Sequence, residues 1–131
     1  ERRTMDVTPI IPSDRQVIDT YAPGRFRISN IVHDGAVLVL PERTEPWAVI
    51  GAEAITVESL AGLRAADPGV EILLIGTGDR MQLLPSRLRR ALKEELGVVA
   101  DAMDTRAACR TYTILLAEGR RVAAALIPVS G

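Results

Sequence analysis

The chain has 131 residues and a mass of 14.2 kDa, the size of one ordinary domain. Its 47% apolar and 25% charged residues exclude disorder along most of its length, and with only 3% aromatics, aliphatic side chains must fill the core. The formal net charge of −1 leaves no basic excess to draw it onto nucleic acid or anionic lipid.

The first 20 residues hold Pro9, Pro12 and scattered charges, and read as an irregular lead-in that adds at most one edge strand. Residues 21–131 read as a single α/β domain. From Arg25, Phe26 and Ile28 alternate with charged or polar neighbours, the period of a half-buried strand. Asp34-Gly35 is a tight-turn signal, and Ala36 to Leu40 runs apolar after it, so a β-hairpin is expected here. Pro41 to Ala54 reads as a loop carrying the only tryptophan, Trp47. Thr56 caps a first helix with Val57, Leu60 and Leu63 at helical spacing, stopped by Asp67-Pro68-Gly69. Val70 to Ile75 is nearly all apolar, as in a strand buried on both faces. Pro85 opens a second helix with the apolar stripe Leu84, Leu88, Ala91, Leu92 and Leu96, and Gly97 closes it. A strand from Val98 to about Met103 follows. Asp104 or Thr105 caps a third helix to about Ala117, and Glu118-Gly119 reverses the chain into a last strand, Arg120 to Ile127. Alternating strands and helices predict a sheet with helices on its faces.

The best local signal for chemistry is Gly76-Thr77-Gly78 at the end of the buried strand. Open α/β sheets bind ligands beyond the carboxyl ends of their strands, and glycines let a backbone approach an anion. A dinucleotide fingerprint would place glycine where Met81 stands, and no Gly-Lys-Ser/Thr is present, so the same residues also read as a tight turn. Asp79, Asp101 and Asp104 could converge on a hard cation, but Asp104 is better explained as a helix cap and Asp79 as a loop residue. No metal or cofactor is expected. Cys109 sits among apolar helical neighbours, like a buried inert thiol, and the only histidine, His33, lies in the hairpin region. Arg110, Arg120 and Arg121 could clasp an anion; they also read as surface charge, with Arg120 or Arg121 pairing Glu118. Trp47 reads either as an exposed anchor for a partner or as a cap on the core. A single cysteine permits no internal disulfide and fits a reducing, cytoplasmic setting. No run approaches the about 20 apolar residues of a membrane span, and no signal peptide is recognisable.

Several segments together resemble one family. They are Ile72 to Gly78, Met103-Asp104-Thr105 with Ala107 to Tyr112, Glu118 to Leu126, and Leu38 to Pro41 with Trp47. The family comprises small bacterial and archaeal proteins of unknown function related to mitochondrial respiratory complex I assembly factor three. The resemblance implies a three-layer α/β fold with a mixed five-stranded central sheet. The elements read above run as an N-terminal β-hairpin, then α-β-α-β-α-β, and the resemblance implies that the last strand is antiparallel to its neighbours. It also implies an assembly-factor-like module rather than an established enzyme. The chain departs from the family pattern at Thr113, where asparagine usually follows Thr-Tyr. No mitochondrial presequence is recognisable, which fits a bacterial-type member. The expected function is non-enzymatic: a protein partner is bound, in assembling a respiratory or membrane complex. The alternative is a small-molecule or anion-binding protein, or an enzyme, using the edge formed by Gly76-Thr77-Gly78 and Asp104-Thr105. Candidate binding residues are Trp47, Gly76, Thr77, Gly78, Asp104, Thr105 and Arg110.

Overall fold

Strand formation begins at Ile18, within the stretch read as lead-in, in a computed structural model that describes residues 11–131. β1 (Ile18–Ala22), β2 (Arg25–Ile28) and β3 (Ile31–Asp34) form an antiparallel sheet in that order. Phe26 and Ile28 are buried while Arg25 and Arg27 are exposed, as their alternation predicts. The reversal of the β2–β3 hairpin lies at Ser29 and Asn30, with φ of 47° and 69°. Two consecutive left-handed residues match the twist of a two-residue hairpin loop. The expected turn at Asp34-Gly35 exists but has a different task. Gly35, with φ +83°, redirects the chain from the small sheet into β4 (Val37–Val39) of the large one. β2 and β4 are therefore not hairpin partners.

The large sheet is mixed and five-stranded, in the order β5-β4-β8-β6-β7. Its remaining strands are β5 (Thr44–Pro46), β6 (Ile72–Thr77), β7 (Val99–Met103) and β8 (Val122–Ile127). β8 is antiparallel to β4, pairing Leu38 with Ala125, as expected for the last strand. On its other side it is parallel to β6, pairing Leu73 with Ala123, which corrects the expectation of antiparallel pairing with both neighbours. The cause is helix length. α2 (Thr105–Ala117) carries the chain back along the sheet, so β8 starts from the same end as β6 and β7. The parallel β6–β7 pair is spanned by α1 (Ser86–Leu96), which starts after Pro85 and ends at left-handed Gly97.

The first expected helix, Glu58–Ala65, winds as a 3₁₀ helix. It is short, and Gly62 in its middle lies against the Glu45 and Leu38 side chains. Thr56 and Ser59 cap its start reciprocally, each backbone N–H donating to the other's hydroxyl at 3.0 Å. This helix and α1 cover one sheet face, around Leu60, Leu73, Ile75 and Leu92. α2 and the small sheet cover the other, around Phe26, Ile28, Leu74 and Tyr112. The result is three layers. Tyr112, buried in the second core, donates its hydroxyl to the Gln16 carbonyl at 2.7 Å and ties in the segment before β1.

The hairpin turn tolerates only residues that accept a left-handed backbone. Asn30→Val should lower the urea unfolding free energy by about 1–2 kcal/mol, and Asn30→Gly should leave it nearly unchanged.

Candidate functional site

The carboxyl ends of β6 and β8 meet the start of α2, and the structure brings Gly76, Thr77, Gly78, Asp104 and Thr105 together there, as the sequence suggested. Gly76 is required for space. A Cβ would lie 2.8 Å from Thr105 Oγ1 and 3.0 Å from Thr105 Cα. Gly78 is required for conformation, with φ +97°. The Thr105 hydroxyl accepts the Gly78 N–H at 2.8 Å and donates to the Ile127 carbonyl at 2.6 Å. The Thr105 N–H donates back to the Gly78 carbonyl at 2.9 Å. Thr77 Oγ1 lies 2.6 Å from the Arg80 carbonyl and accepts the Gln82 N–H at 3.0 Å. Asp104 caps α2, its Oδ1 accepting the Ala107 N–H at 2.9 Å. Thr77 is 3% exposed and Thr105 fully buried. These polar groups bind one another instead of facing solvent. The donors that an anion would need, at Gly78, Thr105 and Ala107, already have partners.

The three aspartates act separately. Asp79 accepts the Ser130 N–H at 2.9 Å and the Ser130 hydroxyl, which fastens the C-terminal segment to the loop. Those hydrogen bonds, with help from Arg106 and Arg80, hold its carboxyl below the usual range. Asp101 lies in β7. Among the described residues, no three His, Cys, Asp or Glu side chains are grouped to hold a metal ion.

Trp47 is not the exposed anchor that its loop position suggested. It is 5% exposed, packs in the α1-side core, and donates Nε1–H to the Ser59 carbonyl at 2.9 Å. In a core this poor in aromatics, the indole is the largest apolar body available. The exposed large apolar side chain of its loop is Ile50, 96% accessible. Leu83, 83% accessible, lines a hollow of about 250 Å³ with Ala52, Ile55, Pro85 and Leu88. Neither Ile50 nor Leu83 was legible as a site residue. The only signal was negative: Leu83 falls off the stripe that Leu84, Leu88 and Leu92 make.

Arg110 lies apart from the strand-end junction. It lines a hollow of about 450 Å³ between α2 and β1 with Ile18, Tyr21, Thr113 and Ile114. Cys109 forms part of the same wall. Burial pushes its thiol up to about 12, against a partial opposing pull from Arg110. Arg120 pairs with Glu71 at 3.5 Å and Arg121 with Glu42 at 2.7 Å, not with Glu118.

The chain belongs to the DUF498/DUF598 family of proteins of unknown function, whose pattern matches residues 18–127. It is 45% identical over 114 residues to an uncharacterised protein of Rhodobacter capsulatus, covering 87% of this chain and 86% of that one. It is 36% identical over 111 residues to NADH dehydrogenase [ubiquinone] 1 alpha subcomplex assembly factor 3 of Xenopus tropicalis. That match covers 85% of this chain but only 60% of the assembly factor. A crystal structure from Bordetella parapertussis superposes with a TM-score of 0.79 at 37% identity, covering 89% of this chain and 98% of that one.

Two outcomes follow from this geometry. Thr105→Val keeps the shape but strands a buried donor and a buried acceptor, so unfolding free energy should fall by about 2–4 kcal/mol in urea titration, while Thr105→Ser should retain most of it. The Cys109 thiol should react with iodoacetamide far more slowly in the folded protein than in urea. Its raised pKa favours folding below pH 9.0, and that advantage is lost as pH rises toward about 12. Tyr112 shifts in the same direction, so Cys109→Ala is the reference. Wild type should lose more stability than Cys109→Ala between pH 8 and pH 10.5, roughly one unit below and one and a half above the unfolded thiol's pKa.

Proposed function

We propose that this member of the DUF498/DUF598 family is a non-enzymatic interaction module that binds a protein subunit during assembly of a respiratory complex, and that it works in the cytoplasm. The carrying observation is a contrast between two surfaces. At the strand-end edge, where an α/β enzyme would bind a ligand, the Thr77 and Thr105 hydroxyls and the Gly78, Thr105 and Ala107 N–H groups are bonded internally. Large apolar side chains stand in solvent at Ile50 and Leu83, and Leu83 lines a hollow with Ala52, two residues beyond Ile50. Exposed apolar surface beside a hollow favours a partner that covers it. Similarity to the Xenopus tropicalis assembly factor supports a subunit of an NADH dehydrogenase as that partner. Among the described residues, no helix is long and apolar enough to cross a membrane.

On this reading, the residues picked out from sequence support the surface from beneath. Buried Trp47 anchors the loop that presents Ile50. Thr77 bonds to Arg80 and Gln82 and so shapes the loop that presents Leu83. Gly76, Gly78, Asp104 and Thr105 hold that loop's base against α2. Arg110 lies on a separate face.

Deleting the gene in its native host tests this. NADH:quinone oxidoreductase activity of isolated membranes should fall severalfold, and native gels should accumulate subassemblies. Wild-type protein should restore both. A variant carrying Ile50→Glu and Leu83→Glu should melt like wild type yet fail to restore them. Unchanged assembly and activity in the deletion strain would overturn the proposal.

A further inference from the structure

The two edges of the large sheet are treated differently. At one edge, β5 has three residues and ends on Pro46, which cannot donate to a further strand. At the other, β7 has five residues, Val99–Met103, with no proline or lysine. Its one charged residue is Asp101, which is exposed. The Val99 N–H donates inward to the Glu71 carbonyl at 3.0 Å. Backbone groups in a parallel ladder alternate, so the N–H and C=O of Ala100 and Ala102 point to the open edge.

A hollow of about 370 Å³ runs between this edge and α1, lined by Ser86, Arg89, Arg90, Lys93 and the start of β7. Residues 86, 89, 90 and 93 fall on one stripe of a helix, which aims all three cations at the same groove. Among the described residues, none of these cations takes part in an ion pair. The two faces of β7 also differ. Ala100 and Ala102 pack toward the α1-side core. Val99, 56% exposed, and the exposed Asp101 lie on the opposite face, so the Asp101 carboxylate points away from the cationic groove.

We propose that the β7 edge is a docking site for an extended acidic segment of a partner polypeptide, which adds as a further strand. Every second side chain would be Glu or Asp, directed at Arg89, Arg90 and Lys93. The side chains between would be apolar beside Val99. Main-chain hydrogen bonds give such an addition its affinity, and alternate side chains give it specificity. The cations set direction and register, and salt weakens their part. From the proposed function this takes only that the partner is a polypeptide. Peptide binding and complex assembly are measured separately, so each can fail alone.

The probe is an end-blocked peptide of roughly ten residues that alternates Glu and Val, titrated into the ¹⁵N-labelled protein. Saturable binding should appear by about 1 mM, with slowed hydrogen exchange at the Ala100 and Ala102 amides. The same pattern with Lys for Glu should not bind. Two further peptides carry N-methyl groups, one on all Glu nitrogens and one on all Val nitrogens. One should lose binding and the other keep it, because only one set faces the sheet. Charge reversal by Arg89→Glu, Arg90→Glu and Lys93→Glu should weaken binding about tenfold or more. If that variant melts early, the triple change to Gln replaces it and should weaken binding in the same direction. Absence of binding at about 1 mM, equal binding of both N-methylated peptides, or indifference to the cation changes would overturn the proposal.

Discussion

The last described strand, β8, is the middle strand of the large sheet, and the fold is organised around inserting it. β8 lies between β4, from the N-terminal part of the chain, and β6. All six of its residues are buried. Its even positions face α2 and the small sheet, and its odd positions face α1. Alanines at 123, 124 and 125 keep both faces shallow, so helices can approach closely on each side. One buried hydroxyl fixes the arrangement. Thr105 reaches the Ile127 carbonyl at the end of β8 and the Gly78 N–H just after β6, and it also begins α2. Three elements therefore register against one another through a single side chain. Gly76 is the space that lets that side chain in.

This use of the strand ends shapes what the molecule can do. In many open α/β sheets the same place is a crevice with free backbone donors. Here the Gly78, Thr105 and Ala107 donors are closed on the protein itself, and the junction becomes a base for two loops. Thr77 holds one through Arg80 and Gln82, and Trp47 holds the other through Ser59. Exposed apolar residues on loops with buried supports lose little conformational freedom on contact with a partner, and that lowers the cost of binding.

The elements that sequence made legible are those with a strong local cause. The run from Val70 to Ile75 has the apolar continuity of a strand covered twice. Pro85 and Gly97 bracket α1, and Asp104 caps α2 with its own carboxylate. The features that were not legible depend on partners far along the chain. Asp34-Gly35 and Ser29-Asn30 lie five residues apart, and both carry a positive-φ bend, but only the second closes a hairpin. Turn chemistry marks where a chain bends; it does not say which sheet receives the next strand. Trp47 follows Arg43, Glu45 and Pro46, which look like a solvated loop. Its burial depends on the 3₁₀ helix beyond it, whose Ser59 carbonyl receives the indole proton. The direction of β8 could not come from its own residues, since either pairing buries the same alanines. It comes from the length of α2. Sequence placed Gly76, Thr77 and Gly78 beside Asp104 and Thr105, as the structure does, but whether these groups faced solvent or each other was a tertiary fact.

α1 joins the apolar loop surface to the cationic sheet edge. Its Leu88 and Ala91 line hollows on the side of Ile55 and Pro85, while Arg89, Arg90 and Lys93 line the groove beside β7. The helix is thus flanked on one side by hollows that Leu83, Leu88 and Ala91 share with Glu53 and Arg87, and on the other by a cationic groove. Composition hides this, because 16 basic residues nearly cancel 17 acidic ones over the whole chain. Charges act over a Debye length of about 10 Å, so a partner at α1 meets the local stripe and not the average. The two hollows also contribute different kinds of free energy. Covering Leu83 and Leu88 supplies non-directional burial, about 25 cal/mol for each Å² of apolar area removed from water. Pairing along β7 is directional, and its alternating pattern fixes a register that burial alone leaves loose. A polypeptide that wrapped α1 from one hollow to the other would gain affinity chiefly on the first side and specificity chiefly on the second.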